Sequence, residues 1–203
     1  MMMKAMKAIC LGVVCTGLLT ACSTTQKITN SARSATEQLL ISEAVMRSLP
    51  KQSDSPLPIP QGSNVKLDIA GISADKDIVR DAVVRWLGQH GYTVQDGSDN
   101  TTHRINIVVG SVGTELANTF FGIPPVQGSL IPISLPELSF YKAEYQTGYV
   151  NFHLDIFELP SGQYIGSSLP FVANTFYNAY TVLFLFSFKK TDLVSPPKMG
   201  TYR

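Results

Sequence analysis

An apolar run at the N-terminus decides what the rest of the chain must do without. Met1 to Lys7 is short and basic, with Lys4 and Lys7, and Ala8 to Leu19 is a mostly apolar run of 12 residues. That is the length of a signal-peptide core. It is too short to cross a bilayer as a helix, which takes about 20 residues. Leu19-Thr20-Ala21-Cys22 comes next, and of the 3 cysteines Cys10 and Cys15 lie inside the run. Removal of residues 1–21 therefore predicts a chain with Cys22 as its lone cysteine, so that neither a disulfide nor a thiolate metal site can hold the fold. The mature chain must be stabilised by a buried core, and it is long enough to have one.

Leu19-Thr20-Ala21-Cys22 resembles a lipobox, in which small residues precede an obligatory cysteine; the alternative is an ordinary secretory signal with a chance cysteine. The reading predicts cleavage before Cys22 and acylation of Cys22. Each buried methylene contributes about 0.8 kcal/mol, and two or three acyl chains on one cysteine make anchoring essentially permanent. Ser23, not Asp, stands after Cys22, which resembles the pattern sent to the outer membrane and predicts a lipid anchor there, with the domain on the periplasmic face. With Lys4 and Lys7 removed, the 16 basic residues fall to 14 against 15 acidic ones. No basic stripe offers itself to a phosphate backbone, so nucleic acid is not an expected partner.

Four segments are expected: residues 1–21 as signal, 22–64 as lipidated tether, helix and linker, 65–190 as a periplasmic domain, and 191–203 as a tail. Ser34 and Glu37 have capping-box spacing, and a helix to about Leu49 would carry Ala35, Leu39, Val45, Met46 and Leu49 on its apolar face. Pro50 ends it, and a Pro/Ser/Asp-rich linker covers 51–64. Val65, Leu67 and Ile69 alternate with Lys66 and Asp68, as in a strand. Ile78, Val79, Ala82, Val83, Trp86 and Leu87 recur at helical spacing, which predicts a helix over 77–90 with Trp86 buried and Gly91 as its stop. Strands are predicted at 92–95, 104–109, 149–158 and 163–168, the last two joined at Pro160-Ser161-Gly162. Residues 113–139, with Pro124, Pro125, Pro132 and Pro136, read as a long irregular excursion. The fold class expected is α/β (α+β), a two-layer sandwich of a mixed sheet with one or two helices, preceded by the signal peptide and tether.

The stretches Arg33-Ser-Ala-Thr-Glu-Gln-Leu-Leu-Ile-Ser42, Phe121-Gly-Ile-Pro-Pro125 and Pro136-Glu-Leu-Ser-Phe-Tyr-Lys142 resemble a family of proteobacterial lipoproteins with a domain of unknown function. That resemblance covers most of the mature chain and implies no catalytic residues. In element order alone, the chain is similar to the periplasmic domain of curli-secretion lipoproteins and the N-terminal domain of TolB, which implies a two-layer domain in envelope assemblies. It lacks the extra length that the curli channel uses for its membrane hairpins.

No catalytic constellation outweighs its plainer reading. His153 and Asp155 share a strand face and could join His90 or His103 around a metal, but no third ligand has diagnostic spacing, and two polar residues on a solvated strand face are the favoured reading. Gly110-Ser-Val-Gly113 lacks the length and lysine of a phosphate loop, and Val109 stands where a nucleophile elbow needs glycine. Neither a cofactor nor a metal is expected. Leu169 to Phe188 holds no charge, and Thr181 to Phe188 reads as a buried core strand, the alternative being a surface for lipid or a partner. Phe120, Phe121, Ile123, Pro124 and Pro125 are the candidate partner-binding residues, because an apolar free loop is rarely tolerated on a monomer. The expected role is an outer-membrane-anchored interaction or assembly module of the cell envelope, self-associating or meeting other envelope proteins. The alternatives are an envelope hydrolase using His153 and Asp155, or a small-ligand-binding lipoprotein using the 113–139 segment.

Overall fold

The computed structural model describes residues 33–51, 57–97, 100–127 and 134–197; the predicted signal, its cleavage site and Cys22 lie outside them. Ala35 to Arg203 form one compact unit. Its elements are α1 (Ala35–Ser48), β1 (Asn64–Ala70), α2 (Lys76–Gln89), β2 (Thr93–Gln95), β3 (His103–Ile123), β4 (Val126–Gln127), β5 (Ser134–Leu135), β6 (Leu138–Glu158), β7 (Tyr164–Ser167), β8 (Phe171–Val182) and β9 (Phe186–Thr191). The architecture is α+β: a mixed seven-stranded sheet ordered β2-β1-β3-β6-β8-β9, with β7 on β6, and both helices packed on one face. β1, α2 and β2 form a parallel crossover unit, and β3 also runs parallel to β1. From β3 outward every pairing is antiparallel.

Alternation along the strands builds the core. Ile105, Ile107 and Val109 of β3 and Val150, Phe152, Leu154 and Ile156 of β6 point to the helices and are buried. Each such side chain contributes about 1.5–3 kcal/mol when fully removed from water. From α2, Val79, Val83, Trp86 and Leu87 meet them, as the 3.6-residue spacing predicts. Trp86 is 3% exposed, its Nε1 donates to the Pro50 carbonyl at 3.0 Å, and its ring meets Phe171 edge-on at 5.6 Å. Gly91, at φ 82°, comes after α2 in a conformation that favours glycine.

Three boundaries differ from those read in the sequence. The compact unit begins at Ala35, not Val65: α1 lies across β6 and β8, burying Leu40, Ile41, Ala44 and Val45. Its buried stripe is turned away from Met46, which is 46% exposed, because the crossing is set elsewhere. A Cβ on Gly148 would come within 2.6 Å of both the Leu40 carbonyl and Thr175 Oγ1, and that hydroxyl donates to the same carbonyl at 2.8 Å. Only glycine lets the helix backbone approach so closely. The linker is anchored too, since Leu57 and Ile59 enter the core. Finally, the unit does not end at 190. Asp192 accepts from the Phe176 amide at 2.8 Å and pairs with Arg47, and Leu193 is buried with Leu40 and Tyr177.

Candidate functional site

The largest departure from expectation is the segment 113–139. Its first half is strand: β3 runs unbroken in pairing sense to Ile123 and β6 starts at Leu138, 21 residues each, about 70 Å at 3.3 Å per residue. Register shifts at Val109/Ser111 and Phe121/Gly122 bend the pair without ending it. The Gly110-Ser-Val-Gly113 stretch thus lies inside a strand rather than at a strand end. Prolines did not prevent pairing, because Pro124 and Pro125 fall just after β3 and Pro136 just before β6; Pro132 lies outside the described residues. Gly122 has its own reason, since a Cβ there would stand 2.2 Å from the Leu138 carbonyl. The short β4–β5 pair continues beyond this end.

Beside β6, β8 and β9 form a second hairpin. Thr181 to Phe188 is therefore not one buried strand: β8 stops at Val182, Leu183 to Leu185 turn, and β9 leaves at Phe186. The turn is held on the sheet by Leu183 N–H to the Phe140 carbonyl and Phe184 N–H to the Ser139 carbonyl, both 2.9 Å. Leu183 and Phe184 both have φ of 48°, a region that glycine and asparagine enter far more readily. Two large apolar residues thus hold a costly conformation in an exposed turn, which is where functional surfaces concentrate such strain.

The two hairpins end together and their ends are apolar. Phe121 and Leu185 are each 70% exposed and Phe186 is 64% exposed, with Ile123, Phe140 and Phe184 also in solvent. All five candidate residues, Phe120, Phe121, Ile123, Pro124 and Pro125, are exposed at this end. The residues the sequence reading missed are those of the β8–β9 turn. The signal was the chargeless run from Leu169 to Phe188, whose length fits a buried strand as well as an exposed hairpin.

Register assigns the faces of this end. On the side away from the helices lie the paired rows Phe121–Tyr141–Val182–Phe186 and Thr119–Ala143–Tyr180–Phe188. Tyr180 stacks on Phe188 at 5.0 Å and meets Tyr145 edge-on at 6.0 Å. A hydrogen bond with Tyr145 holds the Tyr141 hydroxyl above its usual pKa. On the helix side the corresponding rows are Phe120–Lys142–Thr181–Ser187 and Asn118–Glu144–Ala179–Lys189. Lys142 sits 3.3 Å from Glu137 and 3.4 Å from Glu144. Partial burial would lower its pKa, but the two carboxylates outweigh that and hold it above the usual lysine value. One face of the sheet end is aromatic, and the other carries Lys142, Glu144, Lys189 and Asn118 beside Phe120.

The remaining candidates do not converge. His153 Nε2 is 3.6 Å from Asp155, while Ser167 donates to Asp155 and bonds Tyr164, so the Ser167 hydroxyl is not paired with the imidazole as base. His90 Nδ1 lies 2.7 Å from the Trp86 carbonyl and His103 Nδ1 2.8 Å from the Thr102 hydroxyl. Among the described residues no group of three or more His, Cys, Asp or Glu could hold a metal ion. A hollow lined by Glu37, Thr114, Glu115, Leu116 and Gln146 is about 90 Å³, below the roughly 300–1,000 Å³ of ordinary ligand sites. No protein-family model matches the chain, and no curated protein matches it.

Proposed function

We propose that this chain is a lipid-anchored module of the cell envelope, held on the periplasmic face of the outer membrane through Cys22 and acting by docking rather than catalysis. The observation that carries this reading is the apolar end shared by the β3–β6 and β8–β9 hairpins. Exposed apolar surface of that continuity is rarely left in water by a monomer. Phe120, Phe121, Ile123, Phe140 and Phe186 lie on strands, so much of this surface is presented rigidly and loses little entropy on binding.

Replacing Phe120 and Phe121 together by serine tests the proposal. Both are exposed, so stability should change by no more than about 0.5 kcal/mol per site. Complexes trapped by chemical crosslinking in intact membranes should be lost. Unchanged complexes together with a clearly lowered melting temperature would mean that this end belongs to the core, and docking would lose its support.

A further inference from the structure

We propose that the sheet face turned away from the helices binds a carboxylate-bearing glycan, a strand of sugar rings lying across β1, β3, β6 and β7. This surface is separate from the apolar sheet end. Only the choice of the cell wall as the source of the glycan rests on the envelope location proposed above. Alternation sets up the face. Val65, Leu67, Ile105, Ile107, Leu154 and Ile156 are buried under the helices. Lys66, Asp68, Arg104, Asn106, Asp155 and Phe157 therefore point the other way, and none of them is buried. Register arranges this face in rows. Lys66, Arg104, Phe157 and Tyr164 form one row. Asp68, Asn106, Asp155 and Ser167 form the next. The two rows are about 7 Å apart along the strands.

The first row holds cations that the protein does not itself neutralise. Among the described residues neither Lys66 nor Arg104 joins an ion pair. The Arg104 Nε is buried without a hydrogen-bond partner. The guanidinium is held instead over the Phe157 ring, its Cζ 4.6 Å from the centroid, and Phe157 meets Tyr164 edge-on at 5.6 Å. A planar cation fixed in this way suits a carboxylate. Tyr164, 55% exposed, offers a ring on which the C–H face of a sugar can lie. The second row favours a glycan over an acidic peptide. It holds two carboxylates, Asp68 and Asp155, with the Asn106 amide between them. An acidic peptide would bring its own carboxylates against these. Sugar hydroxyls donate to carboxylates, and they both donate to and accept from an amide, so a glycan that also carries carboxylates meets both rows. Asp155 accepts from Ser167, and the Ser167 hydroxyl bonds that of Tyr164 at 2.7 Å. That chain fixes its groups in advance, which lowers the ordering cost of binding.

The test sediments the full chain, purified in detergent, with isolated cell-wall sacculi. The protein should pellet saturably, and Lys66→Gln combined with Arg104→Gln should weaken binding about tenfold. Tyr164→Ala lies at an exposed site where stability changes little, and it should weaken binding about threefold. Phe120→Ser with Phe121→Ser should bind like the wild type. Chitin particles have the rings and hydroxyls without the carboxylates, and they should bind about tenfold more weakly than sacculi. Amidase digestion removes the stem peptides and frees the lactyl carboxylates of the glycan, and binding should persist. Loss of binding after digestion would overturn the proposal in favour of an acidic peptide. Chitin binding as tight as that of sacculi would overturn it, because the cations would then have no part. Absence of pelleting would overturn it, as would wild-type binding by the Tyr164 and the Lys66, Arg104 variants. A loss confined to the Phe120, Phe121 variant would overturn it by moving the contact to the sheet end. Mass spectrometry of Cys22 judges the envelope location separately, so failure of the glycan site and failure of the anchor are told apart.

Discussion

Trp86→Ala is expected to lower the unfolding free energy by about 3–5 kcal/mol, the usual cost of truncating a buried tryptophan. Two losses combine. The ring fills the space between α2 and Phe171, and its N–H satisfies the Pro50 carbonyl just beyond α1. Trp86→Phe should cost less, because it keeps the edge-on contact and gives up mainly the hydrogen bond, worth about 1 kcal/mol. Denaturant titration of the three proteins measures the difference. Trp86 is the chain's 1 tryptophan, so its emission reports burial without ambiguity. A red-shifted, readily quenched native emission, or a loss below about 1 kcal/mol for the alanine variant, would contradict the packing.

Cys22→Ser is expected to abolish acylation completely and leave uncleaved precursor. The prediction rests on Leu19-Thr20-Ala21-Cys22 and the apolar run before it. Each acyl chain on the cysteine adds about 0.8 kcal/mol per buried methylene, a contribution that the serine variant lacks. Mass spectrometry of the N-terminal peptide from the wild-type protein decides the matter. An unmodified Cys22, or cleavage at another residue, would refute the lipid anchor.

The helical and core half of the fold was legible because burial on one side alone imposes a period. Val65, Leu67, Ile105, Ile107 and Trp86 announce themselves by alternation or by 3.6-residue spacing, and Gly91 marks a real stop. The sheet end was not legible. Gly113-Thr-Glu-Leu-Ala-Asn-Thr-Phe-Phe-Gly-Ile123 has no buried face, so no period distinguishes it from a loop. Its flanking prolines carry the signature of a break and in fact sit at the strand ends. The β8–β9 turn failed differently: Leu183 and Phe184 occupy positive-φ positions where a turn is normally announced by Asn or Gly. Phe120, Phe121 and Ile123 were found by their exposed apolar character alone, which strand and loop share.

The sheet end as the place where this protein meets others is tested most directly by a photo-crosslinking residue placed at Leu185 or at Ile72, in intact membranes. Ile72, on the loop after β1, is 102% exposed against 70% for Leu185, so mere apolar exposure favours the control. Protein adducts from position 185 and none from position 72 are the predicted result. Adducts from 72 as abundant as those from 185, or none from 185, would contradict it.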